Sequence, residues 1–225
     1  MVIITQDLCW RWPGQGGALR FPDIRLPAGE HLFVHGPSGS GKSTLLSLLS
    51  GLNRATEGRI EVHGQDMARL SGSARDRLRA DRTGVIFQQF NLVPYLSALH
   101  NVILPCRLSA ARRRQAGNPE ATARQLLAAL DLPADAITRP APALSTGQQQ
   151  RVAAARALIG APPLILADEP TSALDTDNRD RFVSLLLDQA ARSGSSVVFV
   201  SHDPALARHF SHHVELGTRV REAAS

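Results

Sequence analysis

The fold is decided by the stretch Gly36-Pro37-Ser38-Gly39-Ser40-Gly41-Lys42-Ser43. This stretch matches the phosphate-loop pattern G-x-x-x-x-G-K-[ST] at every fixed position. The run 31–34 before it is typical of a short strand, and the run 44–49 after it is typical of a helix. A glycine-rich turn between a strand and a helix is the context that the motif requires. The sequence therefore predicts an α/β fold with an anion-binding loop at this junction.

The residue types in this loop suit the binding of phosphate. Glycines permit positive φ, so that successive backbone N–H groups surround an anion at the positive end of a helix. Lys42 is expected to reach the β- and γ-phosphates, and the Ser43 hydroxyl to bind Mg²⁺. Lys42 is the single lysine of a chain that also contains 24 arginines. We infer from this usage that the loop requires a compact ammonium group, because a planar guanidinium does not fit there.

The composition indicates a globular chain with a basic surface. Its 225 residues are enough for one domain with an inserted subdomain. The formal net charge of +5 is compatible with nucleic acid or anionic lipid as a partner. The lack of a long basic block favours instead a solvated surface around a nucleotide site. The arginine run 112–114 has the same two interpretations, a solvated helix face or a contact with a partner or lipid.

Two segments around the loop are predicted to add smaller layers. Residues 1–35 alternate short apolar runs with turn residues, which predicts an antiparallel β-layer. Trp10 and Trp12 in that layer either stack on an adenine or pack at a strand edge, and the residue pattern leaves both open. Residues 89–142 contain six prolines that are expected to break helical runs, and 121–130 has helical apolar spacing. This stretch predicts a small helical subdomain.

Polar residues follow three predicted buried strands. Asp168 and Glu169 end the apolar run that starts at residue 164, Gln88 follows the run 84–87, and His202 follows the run 197–201. The carboxyl edge of a parallel sheet is where α/β folds bind ligands. There Asp168 is expected to hold Mg²⁺ or its waters, and Glu169 to orient and deprotonate a water. His202 either hydrogen-bonds a γ-phosphate or is a capping residue, and the neighbouring edge residues favour the first role.

The second half of the chain carries a further motif, Leu144-Ser145-Thr146-Gly147-Gln148-Gln149-Gln150-Arg151. Together with the phosphate loop and with the segment 168–175, it resembles the nucleotide-binding subunits of ABC transporters. The resemblance implies a P-loop ABC ATPase core with a parallel sheet, an N-terminal antiparallel β-subdomain and an inserted α-helical subdomain. We expect one domain, 1–225, with 1–88 and 152–225 as the core and about 89–151 as the helical subdomain.

The resemblance also implies ligands and roles for single residues. The ligands are ATP and Mg²⁺. Catalysis is assigned to Glu169 as the general base, with His202, Gln88 and Lys42, and the metal to Ser43, Gln88 and Asp168. Nucleotide binding is assigned to Trp12, Gly36, Pro37, Ser38, Gly39, Ser40, Gly41, Lys42, Ser43, Thr44, Ser145, Gly147, Gln148 and Asp175. Of these, Ser145, Gly147 and Gln148 would contact ATP held by a second subunit, and Asp175 would belong to the loop that crosses the dimer.

The same resemblance implies partners and a location. We expect a homodimer that binds integral-membrane permease subunits at the cytoplasmic face of the inner membrane, as a peripheral protein. Several strings, among them those at 88–94 and 99–105, are similar to lipoprotein-release, macrolide-export and cell-division-type ATPases. The chain either powers transport, or regulates a membrane partner without transport, or belongs to an uptake system. A soluble ABC protein that acts on nucleic acid usually has two linked ATPase units or a long coiled coil. The sequence predicts neither feature, so we expect no nucleic acid partner.

One position departs from the family pattern. Thr146 stands where a second glycine is usual. Its β-branched side chain crowds a close backbone approach and disfavours positive φ. We therefore expect ATP to drive dimerisation less strongly than it would with glycine at this position.

Overall fold

The computed structural model describes residues 1–11, 17–172 and 174–217, which form two sheets and seven α-helices. The strands β1 to β10 are Ile3–Arg11, Ala18–Arg20, Arg25–Leu26, His31–His35, Glu57–Val62, Gln65–Asp66, Thr83–Ile86, Leu164–Asp168, Ser196–Ser201 and His212–Glu215. The helices α1 to α7 are Lys42–Leu49, Gly72–Arg82, Ala98–Leu108, Ala110–Ala116, Pro119–Ala129, Thr146–Leu158 and Thr176–Arg192.

A five-stranded parallel sheet forms the centre of the molecule, in the order β10-β4-β9-β8-β7. Its strands are nearly continuous apolar runs because both faces of the sheet are covered. Phe33, Ile165 and Phe199 point into a core shared with the helices α3 and α5 to α7. Leu166 and Val198 point to the opposite side, into a core shared with α1 and the second sheet. The buried strands predicted at 84–87, 164–168 and 197–201 are confirmed as β7, β8 and β9.

The second sheet is antiparallel, as the N-terminal sequence predicts. Its order is β2-β1-β5-β6, and the short strand β3 also pairs with β1. The segment 20–26 is divided between β2 and β3 by irregular residues. Leu8, Ile60 and Val62 from this sheet pack in the same core as Leu45 and Leu48 of α1. Helix α1 therefore lies between the two sheets, on the face of the parallel sheet that is opposite to α3 and α5 to α7.

Residues 98–158 are mostly helical, and the prolines do not interrupt every helix there. Pro105 lies inside α3, which continues to Leu108, so the expectation that each proline breaks a helical run is wrong here. The missing N–H costs one bond close to the C-terminus, and the buried contacts of Val102 and Cys106 retain the helix. Pro119 occupies the first turn of α5, where a proline N–H would have no partner in any case.

Helix α6 packs directly against the edge strand β7. A Cβ atom built on Gly84 would lie 2.2 Å from the carbonyl oxygen of Ala157, so the strand and the helix approach closer than any side chain allows. The helix begins at Thr146, because the Ser145 side chain accepts a hydrogen bond from the Gln148 amide and caps it. The contact at Gly84 fixes the position of α6 against the parallel sheet.

We expect Gly84→Ala to lower the free energy of unfolding by about 1–3 kcal/mol, since the added methyl group forces β7 and α6 apart. Chemical denaturation of the purified chain measures this change. Gly72→Ala is the matched control, because no atom lies within 4 Å of a Cβ at that position. A Gly84→Ala chain as stable as the control would contradict this account of the packing.

Candidate functional site

The parallel order of β4, β9 and β8 brings three chain segments to one edge of the sheet. The phosphate loop follows β4, Glu169 follows β8, and His202 follows β9. A cavity of about 340 Å³ opens at this edge. Its wall includes the loop residues Ser38, Gly39, Gly41, Lys42, Ser43 and Thr44. Gln88, Glu169, Ser172 and His202 complete the wall.

The loop backbone has the conformation that a phosphate nest requires. Gly36, Gly39 and Gly41 have φ values of 155°, 79° and 99°. Gly41 is the N-cap of α1 and offers no side chain to the first N–H groups of the helix. These N–H groups are oriented toward the cavity end of the helix, where the helix dipole favours an anion.

Lys42 lies folded across its own loop. The side chain is 9% exposed, and Nζ donates to the carbonyl oxygens of Gly36 at 2.8 Å and Pro37 at 3.1 Å. Nζ also lies 3.9 Å from Oε1 of Glu169. The ammonium therefore occupies the wall of the cavity with only a long ion pair to a carboxylate, and an incoming phosphate can replace the two carbonyl contacts.

Asp168 has an incomplete set of hydrogen bonds. Its Oδ1 atom is buried and has no hydrogen-bond partner in the part of the chain that the structure describes. Burial raises the pKa of the carboxyl above its ordinary value, although a hydrogen bond from the Ser43 side chain acts in the opposite direction. A free carboxylate oxygen beside a serine hydroxyl fits Mg²⁺, which takes one or two protein oxygens together with waters and phosphates. The described residues contain no denser cluster of metal ligands.

Glu169 is held in an unusual conformation at the end of β8. Its φ is 45°, in the left-handed region that non-glycine residues rarely adopt, and its amide donates to Val200 of the neighbouring strand at 3.0 Å. Oε2 lies 2.8 Å from Nδ1 of His202, and the side chain is only 12% exposed. The turn directs a nearly buried carboxylate into the cavity, with its orientation fixed by an imidazole.

A second contact fixes the histidine segment. Asp203 caps the short helix Pro204–His209 and forms a salt bridge with Arg179 of α7. Because Arg179 is largely buried, this pair ties the end of β9 to the helix that follows the Glu169 segment.

Two residues that the sequence reasoning missed belong to the surroundings of the site. Ser172 lines the cavity, and its place shortly after Glu169 was the only available signal. Arg156 of α6 donates to the carbonyl oxygens of Phe90 and Asn91 at 2.5 Å and 2.7 Å, and both of these residues have positive φ. This half-buried guanidinium fixes the bend that follows Gln88, a contact between distant segments that no local pattern reveals.

The segment 145–148 does not line the same cavity as the phosphate loop. Ser145 and Gln148 form a capping box with each other: the Gln148 amide donates to the Ser145 side chain at 3.3 Å, and the Ser145 amide donates to Gln148 Oε1 at 3.0 Å. Thr146 is the first residue of α6, and neither Thr146 nor Gly147 has positive φ. The expectation that Thr146 disfavours a required positive φ is therefore wrong, and only the crowding by its side chain remains.

Two other predicted nucleotide contacts, Asp175 and Trp12, lie away from the residues that line the cavity or outside the described part of the chain. Asp175 is the N-cap of α7: the amide of Asn178 donates to it at 3.0 Å, and this hydrogen bond lowers the pKa of the exposed carboxyl. Trp12 lies outside the described residues, so its predicted stacking on adenine stays a prediction.

The buried carboxyl of Asp168 leads to a prediction about stability. Because burial raises its pKa in the folded chain, the ionised form destabilises the fold once the pH rises above the ordinary carboxyl range. We expect Asp168→Asn to raise the Tm of the nucleotide-free protein at neutral pH, and the gain to vanish at acidic pH. Calorimetry as a function of pH measures this difference, with the exposed Asp188→Asn as control. A lower Tm for Asp168→Asn at neutral pH would contradict the assignment.

Comparisons with known proteins identify the family of the chain. Residues 19–172 match the family model described as ABC transporter. The lipoprotein-releasing system ATP-binding protein LolD of Anaeromyxobacter dehalogenans is 46% identical over 194 residues, which cover 86% of this chain and 80% of that protein. A probable export ATP-binding/permease protein of Pseudomonas fluorescens is 43% identical over 203 residues, 88% of this chain but only 30% of that longer protein.

A solved structure is also similar over nearly the whole chain. It is a dimeric, post-hydrolysis state of the ATP-binding cassette MJ0796 of Methanocaldococcus jannaschii bound to ADP and Pi. The TM-score is 0.83 at 31% identity, and the match covers 99% of this chain and all of the other. The predicted fold class and the resemblance to lipoprotein-release and export ATPases are thereby confirmed. The chain belongs to the ABC transporter family and is an ATPase of that family.

Proposed function

We propose that this ATPase powers a membrane-embedded partner of the export or lipoprotein-release type. The observation that carries the proposal is the convergence of the phosphate loop, Glu169 and His202 on one cavity, with the buried Asp168 hydrogen-bonded to Ser43 of the loop. The names of the relatives support the choice of system, since they include lipoprotein-releasing and export ATP-binding proteins.

Nucleotide binding uses the loop backbone and the lysine. The N–H groups of the nest and of the first turn of α1 take the β- and γ-phosphate oxygens. Lys42 exchanges the carbonyl oxygens of Gly36 and Pro37 for phosphate oxygens, because a charge-assisted contact is stronger than one to a neutral carbonyl. Ser43, Gln88 and the free oxygen of Asp168 would hold Mg²⁺, and the ion would supply positive charge beside the phosphates.

Hydrolysis requires a base that is oriented toward the attacking water. Glu169 accepts a proton from the attacking water, whose oxygen bonds to the γ-phosphorus as the bond to the β–γ bridging oxygen breaks. The products are ADP and inorganic phosphate. His202 donates from Nδ1 to the carboxylate and holds its direction, and Lys42 stabilises negative charge on the departing phosphates.

We propose that the complete site forms between two copies of the chain. Ser145, Gly147 and Gln148 begin helix α6 but stay outside the cavity of their own chain. A two-fold, head-to-tail dimer places the positive end of α6 against the γ-phosphate held by the partner. The similar cassette with ADP and Pi is itself a dimer, which supports this arrangement.

We also propose that the chain is divided into a core and a helical subdomain at about 89–151, with α6 crossing from one to the other.

The membrane partner is proposed to dock in an apolar groove beside α2 and α3. Leu52, Phe87 and Leu108 are exposed large apolar residues that share this groove, which has a volume of about 330 Å³. In the part of the chain that the structure describes, every helix is too short or too polar to cross a lipid bilayer. We therefore propose a peripheral protein at the cytoplasmic face of the inner membrane, held there by a permease.

The role of Glu169 is tested by Glu169→Gln. We expect kcat for ATP hydrolysis to fall by about 10²–10⁴-fold, because the base is lost, while ATP affinity is retained and an ATP-bound dimer accumulates. Steady-state kinetics, nucleotide titration and size-exclusion chromatography measure the three quantities.

Glu120→Gln provides the control, since it removes the same charge from an exposed position on α5. Hydrolysis by Glu169→Gln at the parent rate would show that another group is the base.

A further inference from the structure

The positive charge of the chain is concentrated on one part of its surface. Residues 66–82 and 107–114 contain nine arginines and three aspartates, a net charge of +6, whereas the whole chain has a net charge of +5. These segments comprise α2, the end of α3 and most of α4. We define the arginine face as their five exposed and unpaired arginines: Arg77, Arg82, Arg107, Arg113 and Arg114.

Arg77, Arg82 and Arg114 form a continuous part of the arginine face because α2 and α4 lie side by side. The Ser109 hydroxyl, which caps α4, donates to Asp81 of α2 at 2.5 Å. A concavity of about 430 Å³ between the two helices is lined by Arg77, Leu108 and Arg114. On the other side of α2, Arg77 and Arg82 line a second concavity of about 420 Å³.

The protein itself does not neutralise this charge. Among the described residues, none of the five arginines forms a salt bridge, and the nearby aspartates have other partners. Asp66 pairs with Arg69, Asp76 with Arg79, and Asp81 accepts from Ser109. Several like charges facing the same solvent repel one another, so an anionic surface placed against them stabilises the arrangement.

The arginine run 112–114 therefore has two roles. Arg112 is buried, donates to the carbonyl oxygen of Ala157, and has its pKa lowered to about 10 by burial. It joins α4 to α6 and is structural. Arg113 and Arg114 point to solvent, and they belong to the arginine face.

We propose that the arginine face binds the anionic lipid headgroups of the membrane. Guanidinium groups form paired hydrogen bonds with phosphate oxygens, and the 75% exposed Leu108 lies among them as an apolar side chain at headgroup depth. Leu108 also lines the apolar groove proposed for the permease, so a chain docked through that groove brings its arginine face toward the bilayer. This step rests on the proposed function.

Lipid fits this face better than nucleic acid or the surface of a permease does. The segments 66–82 and 107–114 contain no aromatic residue, so they offer no platform for stacking bases of single-stranded nucleic acid. Cytoplasmic loops of membrane proteins are rich in lysine and arginine, so the matching surface of a permease is repelled rather than attracted. The cytoplasmic leaflet, in contrast, is negatively charged.

Sedimentation of the full chain with vesicles tests the proposal. We expect binding to phosphatidylcholine vesicles that contain phosphatidylglycerol, little binding to pure phosphatidylcholine, and loss of binding at high salt. Arg77→Gln/Arg82→Gln/Arg114→Gln should weaken binding about a hundredfold, since each arginine near an anionic surface contributes about fivefold. The triple substitution Arg25→Gln/Arg124→Gln/Arg192→Gln removes the same charge from exposed positions elsewhere and should weaken binding much less.

Three results would overturn the inference: equal binding to both kinds of vesicle, equal loss in the two triple variants, or tighter arginine-dependent binding to duplex DNA than to the anionic vesicles. Circular dichroism confirms that each variant is folded. ATP hydrolysis in solution is measured in parallel and should be unchanged in both variants. A chain that hydrolyses ATP but ignores anionic vesicles contradicts the lipid contact alone, whereas a chain that does not hydrolyse ATP contradicts the proposed function.

Discussion

The parallel pairing of β4 with β9 and of β9 with β8 is the constraint on which the site depends. Parallel strands end at the same edge, so the residues that follow them meet whatever their distance in sequence. Lys42, His202 and Glu169 follow three such ends, and the Glu169 carboxylate lies 3.9 Å from the ammonium and 2.8 Å from the imidazole. The two cores on either side of the sheet fix these ends and leave the edge itself open.

The edge is arranged for binding rather than for stability. Asp168 carries a buried oxygen without a partner, and Glu169 adopts a φ of 45° directly after it. Both features are unfavourable in the isolated chain, and both are explained if a cation and a triphosphate complete the site. Without nucleotide, Lys42 spans the loop through two carbonyl contacts. A phosphate can replace these contacts without any movement of the sheet.

Local sequence patterns predicted the parts of the molecule that local physics determines. Apolar runs identified β7, β8 and β9, and the spacing of the glycine loop identified the strand–helix junction. Contacts between distant segments were not predictable, because no single stretch encodes them. Arg156 holding the bend after Gln88, and Gly84 facing the backbone of α6, are examples. At Thr146 the family pattern predicted a constraint that the structure lacks. A positive φ was expected there, but Ser145 caps the helix and Thr146 is its first residue, without a positive φ.

The central claim is that one chain supplies Lys42 and another supplies Ser145 to each working site. It is tested most directly by mixing two inactive variants, Lys42→Ala and Ser145→Arg, and measuring ATP hydrolysis. Half of the dimers in an equimolar mixture then contain one intact composite site, so activity should return to about a quarter of the wild-type rate. A mixture as inactive as its two parents, or a Ser145→Arg chain that hydrolyses ATP normally by itself, would contradict the account.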